Sequence, residues 1–133
     1  MKKLSGILFS IILLAACHTK TSNDRYEKSK ETLEEQEKEN PLRFLSVSNH
    51  NKHNLVGKMV IKASITNNAK ICTYKDVELE LAFYSKTGTL LEKDSETIYD
   101  EIMPGNSLEH KTKYYAPKGT DSVSVKIVGA TTN

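Results

Sequence analysis

Four histidines, two cysteines and a run of carboxylates are the side chains of this sequence with the widest chemical reach. His50 and His53 lie in the stretch NHNKHN. Two imidazoles at this spacing could approach one metal ion, but a zinc site takes at least three protein ligands, and Asn and His also collect in hairpin loops because they tolerate turn geometry. The expectation is a loop without a metal, with His50 and His53 kept as candidates for a binding surface. His110 shares strand parity with Leu108, Thr112 and Tyr114, which predicts a half-buried strand histidine. Glu92, Asp94, Glu96, Asp100 and Glu101 could attract calcium, yet their spacing fits no cation loop and Lys93 sits among them, so a solvated polar edge is expected. Ser, His and Asp occur, but there is no nucleophile elbow and no Gly-rich phosphate loop. No catalytic residue, no cofactor and no enzymatic activity are expected. Tyr74, Tyr84, Tyr99, Tyr114 and Tyr115 could form a contact platform, since tyrosine offers large area at small entropic cost. Tyr84, with outward parity beside Phe83, is the candidate contact among them.

The two cysteines read differently. Cys72 follows Ile71 without the flanks of a redox pair, so it is expected to be a small buried hydrophobe. Cys17 ends a segment with the parts of a secretory signal: the cationic start Met1-Lys2-Lys3, an apolar stretch over residues 4–14, and the small pair Ala15-Ala16. The stretch is too short to cross a bilayer as a helix, which takes ~20 apolar residues. Leu14-Ala15-Ala16-Cys17 resembles the bacterial lipobox, whose Cys is thioether-linked to diacylglycerol and becomes the first residue after cleavage. The resemblance implies lipidation at Cys17, attachment to a membrane through acyl chains, and a place in the bacterial cell envelope. Burial of acyl CH2 groups at ~0.8 kcal/mol each makes two or three chains a lasting anchor. Residue 18 is His rather than the Asp that signals inner-membrane retention, which implies the periplasmic side of the outer membrane in a Gram-negative cell.

The chain of 133 residues divides into a signal peptide over 1–16, the lipidated Cys and a charged tether over 17–40, and one domain over 41–133. The formal charge of +2 is carried by Lys2 and Lys3, so the chain from residue 17 onward is neutral. A neutral chain predicts no nucleic-acid partner and no electrostatic hold on an anionic bilayer. In the tether, Tyr26 and Leu33 are the only large apolar residues. Asn23 or Asp24 could cap a helix running to about Glu39, with Glu34 and Lys38 in the favourable i,i+4 order and Asn40-Pro41 as its stop. The composition predicts a solvated, partly helical spacer that buries almost nothing.

After Pro41 the pattern alternates with period two. FLSVS and KMVIKASIT read as strands, the second with Met59, Ile61, Ala63 and Ile65 on one face. In DVELELAFYS, Val77, Leu79, Leu81 and Phe83 face inward and Glu78, Glu80 and Tyr84 outward, the mark of an antiparallel sheet with one wet side. Turns at Lys86-Thr87-Gly88 and Pro104-Gly105 separate TLLEK, SETIYDEI, SLEHKTKYY and SVSVKIVGA. About seven short strands predict an all-β, immunoglobulin-like antiparallel sandwich, with a closed barrel as the alternative.

Tyr74-Lys75-Asp76-Val77, Gly88, Pro104-Gly105 and the strand end Leu81-Ala82-Phe83-Tyr84-Ser85 resemble the immunoglobulin-like FxLYD modules of bacterial envelope proteins, with the two apolar residues of the naming motif exchanged and Ser in place of its Asp. The combination of the tether with NPLRFLSV, YKDV, FYSKTGT, IYD and APKGT is also similar to small lipoproteins of Bacteroidota. Neither resemblance brings a catalytic residue. Together they imply a lipid-anchored protein that acts without catalysis, as a protein-binding or structural adaptor with an envelope protein as partner. The alternative is an envelope lipoprotein that binds a small ligand or metal.

Overall fold

Alternation of apolar and polar residues settles into two layers in the computed structural model, which describes residues 22–53 and 58–133. A helix, α1 (Ser22–Glu39), and a single turn, α2 (Pro41–Phe44), precede six strands: β1 (Leu45–His53), β2 (Met59–Asn67), β3 (Tyr74–Ser85), β4 (Leu90–Ile98), β5 (Ser107–Tyr114) and β6 (Thr120–Thr132). One antiparallel sheet has the order β1-β2-β5, the other β4-β3-β6. Because β2 pairs with β5 and β3 with β4 and β6, the connections from β2 to β3, from β4 to β5 and from β5 to β6 pass from one layer to the other. This is an all-β, immunoglobulin-like antiparallel sandwich.

The core follows the predicted parity. Met59, Ile61, Ala63 and Ile65 of β2 are buried, and they face Val77, Leu79, Leu81 and Phe83 of β3 and Val123, Val125 and Ile127 of β6. Six strands are present among the described residues rather than about seven. TLLEK and SETIYDEI fuse into β4, because Lys93-Asp94-Ser95 lacks the Gly or Pro that would break a strand and its pairing with β3 continues through them. The tight turn after β3 falls where expected, with Gly88 at φ +81 and its N–H donating to the Ser85 carbonyl at 2.9 Å.

Asn67, wholly buried at the end of β2, ties the connections together. Its amide donates to the carbonyls of Cys72 (2.9 Å) and Ile102 (2.8 Å), and its side-chain oxygen accepts from the Ala69 N–H at 2.8 Å. Both amide hydrogens and the oxygen are thereby engaged, as burial of an amide demands.

The expected spacer needs correction at its C-terminal end. Residues 25–32 are exposed, as a solvated helix requires. Glu37, however, is 0% exposed. Its carboxylate accepts from three successive backbone N–H groups in the loop between β2 and β3: Lys70 at 2.7 Å, Ile71 at 2.9 Å and Cys72 at 2.8 Å. The Tyr74 hydroxyl donates to the Glu37 carbonyl at 2.7 Å. The last turns of α1 are therefore docked by polar contacts, which a count of apolar residues does not register.

Candidate functional site

Strand register decides which polar side chains share a surface. On the outer face of the first sheet, His50 lies beside Lys62 and Lys62 beside Lys111, while in the next outward row Lys52 lies beside Val60 and Val60 beside Lys113. The third row is Ser48, Ser64 and Glu109. Neighbours across a ladder are ~4.8 Å apart and outward residues along a strand ~6.7 Å, so five basic side chains occupy a grid of roughly those dimensions. His50, Lys52, Lys62, Lys111 and Lys113 are all exposed. Among the described residues, none of the four lysines lies within ion-pair distance of a carboxylate. Val60 is half-buried at the centre and lines a shallow depression with His50, Lys52, Lys62 and Lys111. A surface of this kind can hold an anion with an apolar group beside it.

The candidates from the sequence are dispersed. The segment expected to be a hairpin loop continues β1 as far as His53, and in a strand residues three apart point to opposite faces. His50 thus joins the lysine grid, and His53 ends the strand, exposed, on the other parity. Tyr84 is on the outer side of the second sheet and is half-buried rather than open. No group of three His, Cys, Asp or Glu among the described residues is placed to hold a metal ion. Cys17 lies outside the described residues.

A second polar cluster spans the edges of the two sheets. The Glu96 carboxylate on β4 contacts His110 Nε2 at 2.7 Å with one oxygen and accepts from the Tyr114 hydroxyl at 2.7 Å with the other. Tyr114 also meets the Phe83 ring edge-on, with centroids 6.0 Å apart. Burial, then the bond to Glu96, holds the Tyr114 hydroxyl well above the usual tyrosine range, so it stays a donor. His110 is half-buried on its strand as expected. On the opposite side of the sandwich the Asn49 amide donates to the Val123 carbonyl at 3.1 Å. These two polar links join the sheets at their margins, and the carboxylate, imidazole and phenol of the first are occupied with one another.

The remaining candidate groups are either exposed or interior. The other expected edge carboxylates, Glu92, Asp94, Asp100 and Glu101, are exposed. Cys72 is buried, and burial followed by the nearby Glu37 charge pushes its thiol up, away from a reactive thiolate. For Glu37, burial by itself raises the pKa. The N–H groups of Lys70, Cys72 and Ile71 more than reverse this, and the carboxyl ends below its ordinary range. The five tyrosines form no platform: Tyr74 is interior, Tyr84 is half-buried on the other sheet, Tyr114 is half-buried against Phe83, and Tyr99 and Tyr115 are exposed.

The lysine grid is not visible in the sequence because it depends on the pairing of three strands. A partial signal exists, since Lys62, Lys111 and Lys113 all have outward parity.

The fold and this surface define the class: an antiparallel β-sandwich with one basic sheet face. No family model matches the chain. No curated protein matches it either. Among solved structures it is similar to the trimeric lipoprotein SadB of Salmonella enterica, with a TM-score of 0.49 and 10% sequence identity, covering 84% of this chain and 76% of that one.

Proposed function

We propose that this protein is a lipid-anchored lipoprotein of the bacterial cell envelope whose sandwich acts as a non-catalytic protein-binding or structural adaptor. The observation that carries the anchoring is Leu14-Ala15-Ala16-Cys17 placed directly after a short apolar segment. In a Gram-negative cell, His18 after that cysteine favours the outer membrane, with the domain facing the periplasm.

The non-catalytic role is supported by where reactive groups stand. Glu96, His110 and Tyr114 satisfy one another, Cys72 is interior, and His50 and His53 have opposite parity. Among the described residues the lysine grid is a polar surface without ion-pair partners of its own, and it is built for contact rather than turnover.

The test has two parts. Cys17→Ser should lose incorporated acyl label and leave the membrane fraction. A mature protein that stays membrane-bound after this change would overturn the anchoring. In vivo crosslinking of the wild-type chain should then recover a protein partner, and recovery of none from any surface position would overturn the adaptor role.

A further inference from the structure

Like charges spread over one sheet face repel, so their gathering without internal partners calls for an external one. On the outer face of the first sheet, Lys62 and Lys111 are ladder neighbours, and Lys52 and Lys113 flank Val60 in the adjoining row. His50 completes the ring, while Glu109 is the nearest acidic residue of the same face, one row away. The chain from residue 17 onward is neutral, so this is a local concentration of charge rather than a general bias.

From this surface we infer that the outer face of β1, β2 and β5 is the docking surface of the adaptor, and that its partner is an acidic protein segment in extended form. The inference rests on the adaptor reading above and deepens it. Three features select the occupant. First, outward residues of an extended segment repeat every ~6.7 Å, the same interval that separates the two lysine rows, so alternate carboxylates can meet successive rows. Second, Val60 sits half-buried between the cations, where the methylene stems of acidic side chains on the sheet-facing side of the segment can cover it, and a bare anionic polymer has no such stems. Third, the grid lies toward the end of the sheet away from the site where α1 is docked. Glu37 binds the 70–72 loop beyond one end of β2, whereas Val60 is next to the other end. Residues 25–32 of α1 are exposed and do not lie back over the sheet. The docked helix therefore leaves the basic face uncovered and open to a partner.

The cations are lysines, without an arginine on this face. Lysine acts as a point charge on a flexible stem and does not impose the planar two-point geometry of a guanidinium. Recognition here is by charge spacing and the apolar contact at Val60, with an affinity that salt weakens.

The binding test uses the full chain in detergent and a labelled peptide of Glu-Val-Glu-Ser repeats. Controls are the same peptide with Gln for Glu, and polyphosphate of equal charge. The acidic peptide should bind, more weakly as salt rises through the range where the screening length falls below ~10 Å. Lys62→Glu with Lys111→Glu should weaken binding about tenfold or more, as reversal of paired interface charges does. Lys126→Glu, on the outer face of the other sheet, should leave it unchanged. Absence of binding, equal binding of the Gln peptide, equal or tighter binding of polyphosphate, or indifference to the double reversal would each overturn the inference.

A photoreactive residue placed in cells at position 60, and separately at 84, keeps this failure distinct from failure of the adaptor role. Capture at 60 of a partner whose crosslinked segment maps as acidic supports the surface. Capture at 84 alone overturns the surface while leaving an adaptor. Capture at 60 of a neutral segment, or of α1 from another copy, overturns the partner assigned here, capture at neither position overturns the surface, and capture from no surface position at all overturns both readings.

Discussion

Replacing Glu37 by Gln removes one charge and almost no volume, which makes it a sharp probe of how α1 is held. One carboxylate oxygen accepts from the Lys70 N–H at 2.7 Å and the other from Ile71 and Cys72 at 2.9 and 2.8 Å. A glutamine can turn its carbonyl toward Ile71 and Cys72, but its NH2 then faces the Lys70 N–H, donor against donor. The change loses one charge-assisted bond and weakens two. With such bonds contributing ~1.5–3 kcal/mol and an unsatisfied buried donor costing ~1–3 kcal/mol, a destabilisation of about 2 kcal/mol is expected. Against a total of ~5–15 kcal/mol for a small domain this is a large fraction, equivalent to a fall in melting temperature on the order of 10 °C.

The pH dependence supplies an internal control. Three N–H groups hold Glu37 below the ordinary value of 4.5, despite burial that pulls the other way. A carboxyl whose folded pKa is depressed contributes stability that is present above its unfolded pKa and is lost as pH falls through the folded one. The difference between wild type and Glu37→Gln should be full at neutral pH and close as the pH drops below 4.5. Thermal unfolding of the full chain followed by circular dichroism, repeated from neutral to acid pH, measures both. A Gln variant within ~0.3 kcal/mol of wild type at neutral pH, or a gap that does not narrow in acid, would refute the docking argument.

Other outcomes are set by the same geometry. Leu81 is 1% exposed, so Leu81→Ala should cost ~2–5 kcal/mol in chemical denaturation. The neighbouring Glu80→Ala loses only a surface contact to Lys93 at 3.3 Å and should cost less than about 1 kcal/mol. Asn67→Ala leaves the carbonyls of Cys72 and Ile102 and the Ala69 N–H without partners, and a loss of ~2–4 kcal/mol in the same assay is expected. The Tyr74 hydroxyl is pushed up to about 12 by burial, then by the Cys72 and Glu37 charges. Stability from its neutral form is present below the unfolded value of 10 and is lost as pH rises toward 12, so chemical denaturation should show the wild type losing stability across that interval and Tyr74→Phe losing less of it.

What the sequence discloses and what it withholds divide along a physical line. Strand alternation is a local signal, so the parity of Met59, Ile61 and Ile65, and of Val77 through Phe83, is legible and the sandwich with it. Polar docking is not local. Glu37 stands among six other acidic residues between positions 22 and 39, and nothing in the spacing distinguishes it from those in water. Its partners are main-chain N–H groups, which every sequence possesses and none advertises. The lysine grid is hidden for a related reason: Lys62 and Lys111 lie far apart in the chain and become neighbours only when β2 pairs with β5 in one register. A shift by one residue would turn Lys111 inward and His110 outward.

Those two hidden features bear on each other. A flexible spacer would let the sandwich tumble, and any face could meet any partner or the membrane itself. Clamping the last turns of α1 through Glu37 and the Tyr74 hydroxyl makes the helix, ~27 Å long, a strut with a fixed seat on one end of the sandwich. The lysine grid lies toward the other end, some five to seven residues along β1 from its start, or ~20 Å away. If the basic face is the docking surface proposed above, loosening the clamp should act on partner capture in cells without touching that face. Glu37→Gln in a folded, membrane-bound chain should leave the affinity for an acidic peptide in detergent unchanged while lowering the yield of crosslinks from position 60 in cells. Equal crosslink yields would mean that the strut does not orient the face, and a changed affinity in detergent would mean that the clamp and the grid are coupled through the sandwich.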